Sequence, residues 1–308
     1  MGTAVQKALL REGHGNVVTR TRAELDLRDQ AAVDGFFDMV RPACVYLCAA
    51  TVGGIKANAT RPADFVADNL TIQSNVIGAA RRTGVQKLIF LGSSCIYPRD
   101  CPQPMHEDAL LTGPLEATNR AYAIAKIAGI ELCWAFNRQY GCRYIALMPT
   151  NLFGPGDNYD LQGSHVLPAL IRKMHDAKEA GRAEVILWGT GSPLREFLHS
   201  DDLAEAAVFL ASLTEEQAAP LFSDERPPLI NVGFGAEISI RDLATTVAEI
   251  VGFEGAVCWD TAQPDGTPRK LLDSSRIRAL GWRPRISLKD GIAAAYKDFL
   301  DGSERLSV

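Results

Sequence analysis

Four side chains near the middle of this 308-residue chain have types and spacings that suit carbonyl chemistry. Tyr122 and Lys126 lie four residues apart in a helical pattern, so they share one face of the predicted helix. An ammonium near a phenol favours the phenolate, so we predict that Lys126 lowers the pKa of Tyr122. Ser93 follows an apolar run typical of a buried strand and would add a hydroxyl. This set suits proton transfer at a carbonyl or alcohol while hydride moves, and Cys95 adds a thiol that plain hydride transfer does not need.

Composition indicates an ordinary soluble globular protein, with 47% hydrophobic and 22% charged residues. The net charge of −5 gives no reason to expect a nucleic-acid partner. No apolar run reaches the roughly 18 residues of a membrane span, and residues 1–11 look like an amphipathic helix rather than a signal peptide. The seven cysteines form no CxxC pair or zinc spacing, which predicts reduced thiols, a cytoplasmic location and no metal site.

Helices and strands alternate along the chain, which predicts an α/β fold with a doubly wound parallel sheet of Rossmann type. In the first part, the predicted helices are 3–12, 30–40, 62–82 and 117–140, and the predicted strands are 16–19, 45–48, 87–91 and 144–148. A loop over 151–163, a helix over 166–180 and a strand over 185–188 follow, and then a strand at 197–200 and a helix at 202–213 that return to the first domain. A strand at 229–232, a helix at 240–251, a strand at 256–259 and a helix at 288–300 complete a second, smaller α/β domain. We therefore expect one domain from 1–150 plus about 195–213, and another from about 151–194 and 214–308.

The chain opens directly on a helix, although a dinucleotide-binding fold opens with a strand and a glycine-rich turn. Only Gly2 can be the last glycine of a GxxGxxG-type turn. We thus expect the first strand and two glycines to be missing, through either a misplaced start or a real variant with a weakened cofactor site. Loss of that central strand would leave its two neighbours with unpaired edges.

Arg22 lies where an NAD site would place an acidic residue against the ribose 2′-hydroxyl. A guanidinium there suits a 2′-phosphate, so the sequence favours NADP(H) over NAD. The alternative is a solvated basic loop. Ala49 and Ala50, at the end of a predicted strand, are small enough for a cofactor to pass close by.

The motifs at 92–98 and 122–126 resemble those of the extended short-chain dehydrogenase/reductase superfamily. Further runs at 52–55, 149–155, 164–166, 195–199 and 264–270 resemble, in their order, the GDP-L-fucose synthase family. That resemblance implies 3,5-epimerisation of GDP-4-keto-6-deoxy-D-mannose, reduction of its C4 ketone by NADPH, and a homodimer formed by the helices 62–82 and 117–140.

The resemblance also implies roles for five catalytic residues. Ser93 and Tyr122 would donate to the carbonyl oxygen, and Tyr122 would give its proton to the new C4 alkoxide. Lys126 would hydrogen-bond the nicotinamide ribose. Cys95 and His165 would be the epimerisation pair, and which is base and which is acid stays open. Without the resemblance, an inert buried thiol and a helix-start histidine would be the usual interpretations.

The remaining assignments concern binding. With Arg22, Ala49 and Ala50, the cofactor set is Gly2, Asp26, Leu27, Leu91, Gly92, Ser93, Ser94, Lys126, Pro149, Thr150, Asn151, Leu152 and His165. The residues expected to hold the GDP-sugar are Lys173, Trp188, Arg195, Asp265 and Arg269. Cations suit a pyrophosphate, and the loop with Asp265, Arg269 and Lys270 has the length and charge of a closing flap. Core packing is the alternative interpretation for Trp188.

Two other functions remain possible from the sequence. A nucleotide-sugar 4-epimerase or 4,6-dehydratase on the same fold would recycle a tightly held NAD, but a dehydratase needs an acidic pair near Ser93, and residues 94–97 offer none. A non-catalytic nucleotide-binding protein could have lost the glycine-rich turn. The presence of Ser93, Cys95, Tyr122, Lys126 and His165 argues against that second alternative.

Overall fold

The protein is an α/β structure, and the strands of its described residues form three sheets. The computed structural model describes residues 1–161, 163–263 and 265–306, without the side chains of 55, 56 and 303–306. The strands are β1 (Cys44–Leu47), β2 (Lys87–Leu91), β3 (Arg143–Pro149), β4 (Asn151–Phe153), β5 (Glu184–Trp188), β6 (Leu194–His199), β7 (Leu229–Val232), β8 (Glu237–Ser239), β9 (Ala256–Asp260) and β10 (Arg269–Lys270). The helices are α1 (Gly2–Arg11), α2 (Gln30–Val40), α3 (Ile55–Thr60), α4 (Pro62–Arg82), α5 (Arg120–Tyr140), α6 (Val166–Glu179), α7 (Ser200–Ser212), α8 (Glu215–Ala218), α9 (Ile240–Val251), α10 (Ser275–Ala279) and α11 (Leu288–Leu306).

The largest parallel sheet has the strand order β1-β2-β3-β7. One of its faces packs against α2, α4 and α5 through a core that includes Leu88, Phe90 and Tyr144. The other face packs against α7 and α10 through residues such as Ile89 and Leu147. Helices cover both faces, so the predicted doubly wound sheet is confirmed.

The position of α5 on this sheet depends on a close helix approach. A side chain at Gly129 would collide with the Phe90 ring and the Gln73 amide, so glycine lets α5 lie directly on β2 and α4. The buried Gln73 Nε2 donates to the Ala125 carbonyl oxygen at 2.7 Å. These contacts hold the first turns of α5, and therefore Tyr122, against the carboxyl end of β2.

The predicted strand 16–19 is wrong: residues 14–20 are irregular. A strand needs a partner for its backbone N–H and C=O groups. Within the described ranges, the outer edge of β1 pairs with no strand, so that partner is missing for 16–19.

The predicted loop 151–163 also needs correction, because its first residues form β4, which pairs with β6. The predicted helix 117–140 begins instead as a 3₁₀ turn at Ala117–Asn119, followed by α5.

Long-range pairing overturns two further predictions about the sheets. β7 was expected in the smaller part of the molecule, but it pairs with β3 in the largest sheet and is buried along its whole length. The strand expected at 197–200 is β6, and it pairs with β4, β8 and β10 rather than with the largest sheet. Apolar content identifies these segments as strands, yet their neighbours are set by residues far away in sequence. The domain boundaries themselves stay a prediction.

None of the described helices is long and apolar enough to cross a lipid bilayer.

Candidate active site

Ser93 and Cys95 lie immediately after β2, at the carboxyl end of the largest sheet. Ser93 caps a 3₁₀ turn at Ser94–Ile96, and its Oγ accepts from the Cys95 N–H at 3.4 Å. Cys95 is buried, and burial raises the pKa of its thiol, while the charges of Lys270 and Lys126 and the contact with Ser93 oppose that rise. The thiolate is the reactive form of cysteine. These neighbours therefore influence how much reactive thiolate Cys95 forms at a given pH.

Tyr122 and Lys126 lie on the face of α5 that meets the same strand end. The buried Lys126 Nζ donates to the Leu91 carbonyl oxygen at 2.7 Å and lies 5.7 Å from the centroid of the Tyr122 ring. Burial lowers the pKa of Lys126 to about 8, which Cys95 partly offsets. The spacing of four residues therefore brings the phenol and the ammonium together as predicted.

The predicted direction of the Tyr122 pKa shift is wrong. Burial of the phenol raises that pKa, and the Cys95 thiol adds to the rise. The Lys126 ammonium is engaged by the Leu91 carbonyl and lies 4.8 Å from the Phe90 ring centroid. Desolvation of the phenol therefore outweighs the nearby cation, and Tyr122 is a protonated phenol near neutral pH.

His165 is the N-cap of α6, and its imidazole is exposed and makes no capping hydrogen bond. Its carbonyl oxygen accepts from the Ala169 N–H at 3.1 Å. The neighbouring charge is Asp157, whose pKa is raised by burial and lowered in turn by His165 and the N-terminal amine. The imidazole is therefore accessible to a ligand.

The start of α1 faces the carboxyl end of β1. Met1 packs in the same cluster as Cys48, and the charge of the N-terminal amine lowers the pKa of the Cys48 thiol against the larger effect of burial. Helix α1 begins at Gly2 with no capping side chain and no acidic residue in its first turn, and nothing lies within 4 Å of a Cβ built at Gly2. Uncapped amides at a helix N-terminus attract phosphate, so this end fits a dinucleotide pyrophosphate.

Two loops expected to touch the cofactor meet on one side chain of α4. The Asp68 carboxylate accepts from Thr51 Oγ1 at 3.0 Å, just after Ala49 and Ala50, and from Arg28 Nη1 at 3.2 Å. Arg28 also forms an ion pair with Asp26 and strongly lowers the pKa of that carboxyl group.

Leu27 and Arg22 belong to the same loop as Asp26. Asn75 Nδ2 on α4 donates to the Leu27 carbonyl oxygen at 2.9 Å. Arg22 is exposed in a turn of this loop. The loop as a whole is therefore fixed beside the strand ends while the Arg22 guanidinium is free to meet a ligand.

Residues 149–152 run along the carboxyl end of β3 into the second sheet. Pro149 ends β3 and Leu152 belongs to β4. Thr150 Oγ1 and Asn151 Nδ2 both donate to the Glu196 carbonyl oxygen, at 3.1 and 2.8 Å. This segment therefore borders the same edge as Leu91, Gly92 and Ser94, where the carboxyl ends of β2 and β3 lie side by side.

The residues expected to hold a nucleotide sugar lie around β5, β6 and β10. Trp188, at the end of β5, is 70% exposed, so core packing does not explain it. Asp265 accepts from the Thr190 N–H at 2.9 Å and from Thr190 Oγ1 at 2.7 Å, which ties the flap to the turn after Trp188. Pro264, in the same motif, lies outside the described residues.

The three cations expected to bind the GDP-sugar differ in whether a carboxylate already pairs with them. Burial lowers the pKa of both Arg195 and Lys173, and neither forms an ion pair in the described parts of the chain. Arg269, in contrast, donates from Nε to both Glu237 carboxylate oxygens, at 3.0 and 2.8 Å. Arg195 donates from Nη1 to the Leu194 carbonyl oxygen at 2.8 Å, which leaves its other guanidinium nitrogens for an anion. Arg269, by contrast, is engaged by a carboxylate.

The sequence profile of the NAD dependent epimerase/dehydratase family matches residues 1–232. The chain belongs to that family. Residues 1–232 include all five expected catalytic side chains, from Ser93 to His165.

Known members of this family are similar to the chain over almost its whole length. GDP-L-fucose synthase 1 of Arabidopsis thaliana is 54% identical, and the alignment covers 97% of this chain and 90% of that protein. GDP-L-fucose synthase of Escherichia coli (strain K12) is 50% identical, with 99% and 95% covered. The solved structure of a GDP-L-fucose synthetase from Naegleria fowleri bound to NADP is 28% identical and superposes with a TM-score of 0.86, with 98% and 91% covered.

Three further polar side chains, to which the sequence assigned no role, lie close in the chain to its motifs. The oxygens Asn58 Oδ1, Asn119 Oδ1 and Ser164 Oγ are buried without a hydrogen-bond partner among the described residues. Asn119 lies three residues before Tyr122, at the N-cap of α5, which is the one signal that could have drawn attention to it. The described residues contain no group of three or more His, Cys, Asp or Glu arranged for a metal ion.

Proposed function

We propose that the protein is a cytoplasmic GDP-L-fucose synthase, which epimerises C3 and C5 of GDP-4-keto-6-deoxy-D-mannose and reduces its C4 ketone with NADPH. The observation that carries this proposal is that the 3₁₀ turn with Cys95 packs against α5, the helix that carries Tyr122 and Lys126. A reductase needs only the hydroxyl, phenol and ammonium groups. The thiol adds a group able to move a carbon-bound proton.

For the reduction, the residues act as hydrogen-bond and proton donors. NADPH, when bound, supplies the hydride for C4. Ser93 and Tyr122 hydrogen-bond the ketone oxygen, and Tyr122 gives its proton to the alkoxide that forms. The raised pKa of Tyr122 keeps its phenol protonated at neutral pH, as a proton donor requires.

For the epimerisations, the C4 ketone makes the C3 and C5 protons acidic, because the carbanion is delocalised as an enolate. The same donors, Ser93 and Tyr122, stabilise the enolate oxygen. Cys95 and His165 remove a proton from one face of the sugar ring and return one to the other. Cys95 is buried beside the donors, and His165 is exposed at the start of α6. The two groups therefore reach the sugar ring from different structural elements.

The GDP moiety is assigned to the second part of the molecule. Arg195 and Lys173 are partly desolvated cations that form no ion pair with a described residue, and they suit a pyrophosphate. Trp188 offers an exposed aromatic face on which a base can stack. We further propose a homodimer through α4 and α5, because Ile124 and Tyr140 of α5 expose apolar surface, 42% and 46% of each residue.

The proposed function is tested by incubating the protein with GDP-4-keto-6-deoxy-D-mannose and NADPH and identifying the product by NMR. We expect GDP-L-fucose. A product reduced at C4 with unchanged C3 and C5 would make the protein a simple C4 reductase. Absence of any turnover by the folded protein would support the non-catalytic alternative.

Replacement of Arg22 by Ala is expected to weaken NADPH binding and to leave NADH binding unchanged. A hydrogen bond to a charged group contributes about 1.5–3 kcal/mol, which corresponds to roughly a ten- to hundredfold rise in the Kd for NADPH. The measurement is the Kd for each nucleotide by fluorescence titration. Arg20→Ala is the matched control, because Arg20 donates to the Thr19 carbonyl oxygen and lies over the Phe36 ring. An unchanged NADPH/NADH ratio in the Arg22 variant would remove the 2′-phosphate assignment.

A further inference from the structure

Lys270 is a partly buried cation that the reaction described above does not use. Successive side chains of a strand point to opposite sides, and in β10 the Arg269 guanidinium turns to Glu237. Lys270 therefore points the other way, and among the described residues it has no hydrogen-bond or ion-pair partner for its ammonium. Burial lowers its pKa, and the charge of Arg195, opposite it in the register of β10 and β6, lowers it further.

The backbone around Lys270 is fixed on two sides. We call residues 269–273 the strap. The Met105 N–H donates to the Leu271 carbonyl oxygen at 2.8 Å, and the Leu271 N–H donates to Gln103 Oε1 at 2.9 Å. The Leu272 N–H donates to Oε2 of the fully buried Glu196 at 3.1 Å. The strap is therefore held against the segment that follows Cys95, and Lys270 has a defined position.

The Lys270 ammonium acts electrostatically on the Cys95 thiol. Among the charged groups that lower the pKa of this thiol, Lys270 has the largest effect, ahead of Lys126. The interaction is mutual, because Cys95 is the group that favours the charged form of Lys270. Lys126 is less free to respond to a thiolate, since its Nζ already donates to the Leu91 carbonyl oxygen.

We propose that Lys270 is a positioning residue for the epimerisation, whose ammonium stabilises the thiolate of Cys95. This inference rests on the proposed function. The thiolate takes the proton from the sugar carbon and becomes a thiol, the electron pair of the broken C–H bond moves into the enolate, and Lys270 stays an ammonium throughout. The other groups that interact with the thiol are Ser93, Lys126 and Tyr122, and the group that interacts with Lys270 from β6 is Arg195.

The test is the thiolate titration of Cys95 in the whole, substrate-free protein. The ultraviolet absorbance of thiolate is recorded against pH, and the curve of the matching Cys95→Ser protein is subtracted so that the other six cysteines cancel. In Lys270→Met, the midpoint is expected to rise by about one pH unit or more, because a nearby opposite charge shifts a pKa by about 1–3 units. Lys270→Arg keeps the charge and should keep the midpoint close to that of the wild type. Arg269→Met, one residue away and on the other side of the strand, should leave the midpoint unchanged.

Activity provides a second readout. In D₂O, Lys270→Met should lower kcat for exchange at C3 and C5 about tenfold or more at neutral pH, with little change in KM, and Lys270→Arg should restore the rate. A raised KM with unchanged kcat would mean that Lys270 only binds the substrate's phosphates and would overturn the proposal. So would an unchanged thiolate midpoint in a folded Lys270→Met protein, or in Lys270→Gln if the Met variant does not fold. A shifted midpoint in a protein that does not turn over the substrate would instead contradict only the proposed function.

Discussion

Tyr122→Phe is expected to lose reduction of the C4 ketone. The substitution removes one hydroxyl and keeps the aromatic ring, which packs edge-on against Phe65 at a centroid distance of 6.2 Å, so the fold should be retained. A positioned general acid contributes about 10²–10⁴-fold to a rate, and the rate of NADPH oxidation with the 4-keto-6-deoxy substrate should fall by that factor. The raised pKa of Tyr122 agrees with this role, because the phenol holds the proton that the alkoxide needs.

The matched control for Tyr122→Phe is Tyr140→Phe, at the other end of α5 and half exposed. It should oxidise NADPH at the wild-type rate. Solvent exchange at C3 and C5 should persist at a reduced rate in Tyr122→Phe, because Cys95 and His165 remain while one donor to the enolate oxygen is lost. Normal NADPH oxidation by the Tyr122 variant would exclude the role that we assign to this phenol.

Cys95→Ser is expected to stop deuterium exchange at C3 and C5 in D₂O, while NADPH still binds. The two side chains have nearly the same shape, so packing around the 3₁₀ turn at Ser94–Ile96 should survive. A serine hydroxyl is a far weaker acid than a thiol, and the charges of Lys270 and Lys126 oppose the rise that burial causes in the pKa of the Cys95 thiol. Loss of a general base lowers a rate by about 10²–10⁴-fold, and NMR of the recovered sugar nucleotide measures the exchange directly.

The pH dependence of deuterium exchange at C3 and C5 shows whether Cys95 is a catalytic thiol or only a structural one. Burial raises the pKa of Cys95, so the exchange rate of the wild-type protein should climb as pH rises toward that pKa. Cys101→Ser is the matched control, since Cys101 is also buried and lies six residues further along the same segment. Exchange at the wild-type rate in Cys95→Ser would remove this thiol from the mechanism.

Local sequence was sufficient for the elements and for the chemistry that they carry. The helices 30–40 and 62–82 have the predicted bounds, because a helix is built from contacts three and four residues apart. The same spacing placed Tyr122 and Lys126 on one face, and the apolar run before Ser93 identified a buried strand end. These features depend on neighbours within one turn or one strand.

Only the tertiary structure decided which strands pair and which charges meet. β7 joins β3, and β4 joins β6, across tens of residues of intervening chain, and no local pattern encodes such partners. The direction of the Tyr122 pKa shift follows from burial by distant segments, which outweighs the ammonium one turn away. The motif at 264–270 offered two adjacent cations, and the pairing of Arg269 with Glu237 left Lys270 to act on the Cys95 thiol. Desolvation and charge act through space, so the properties of this site depend on which parts of the chain the fold brings together.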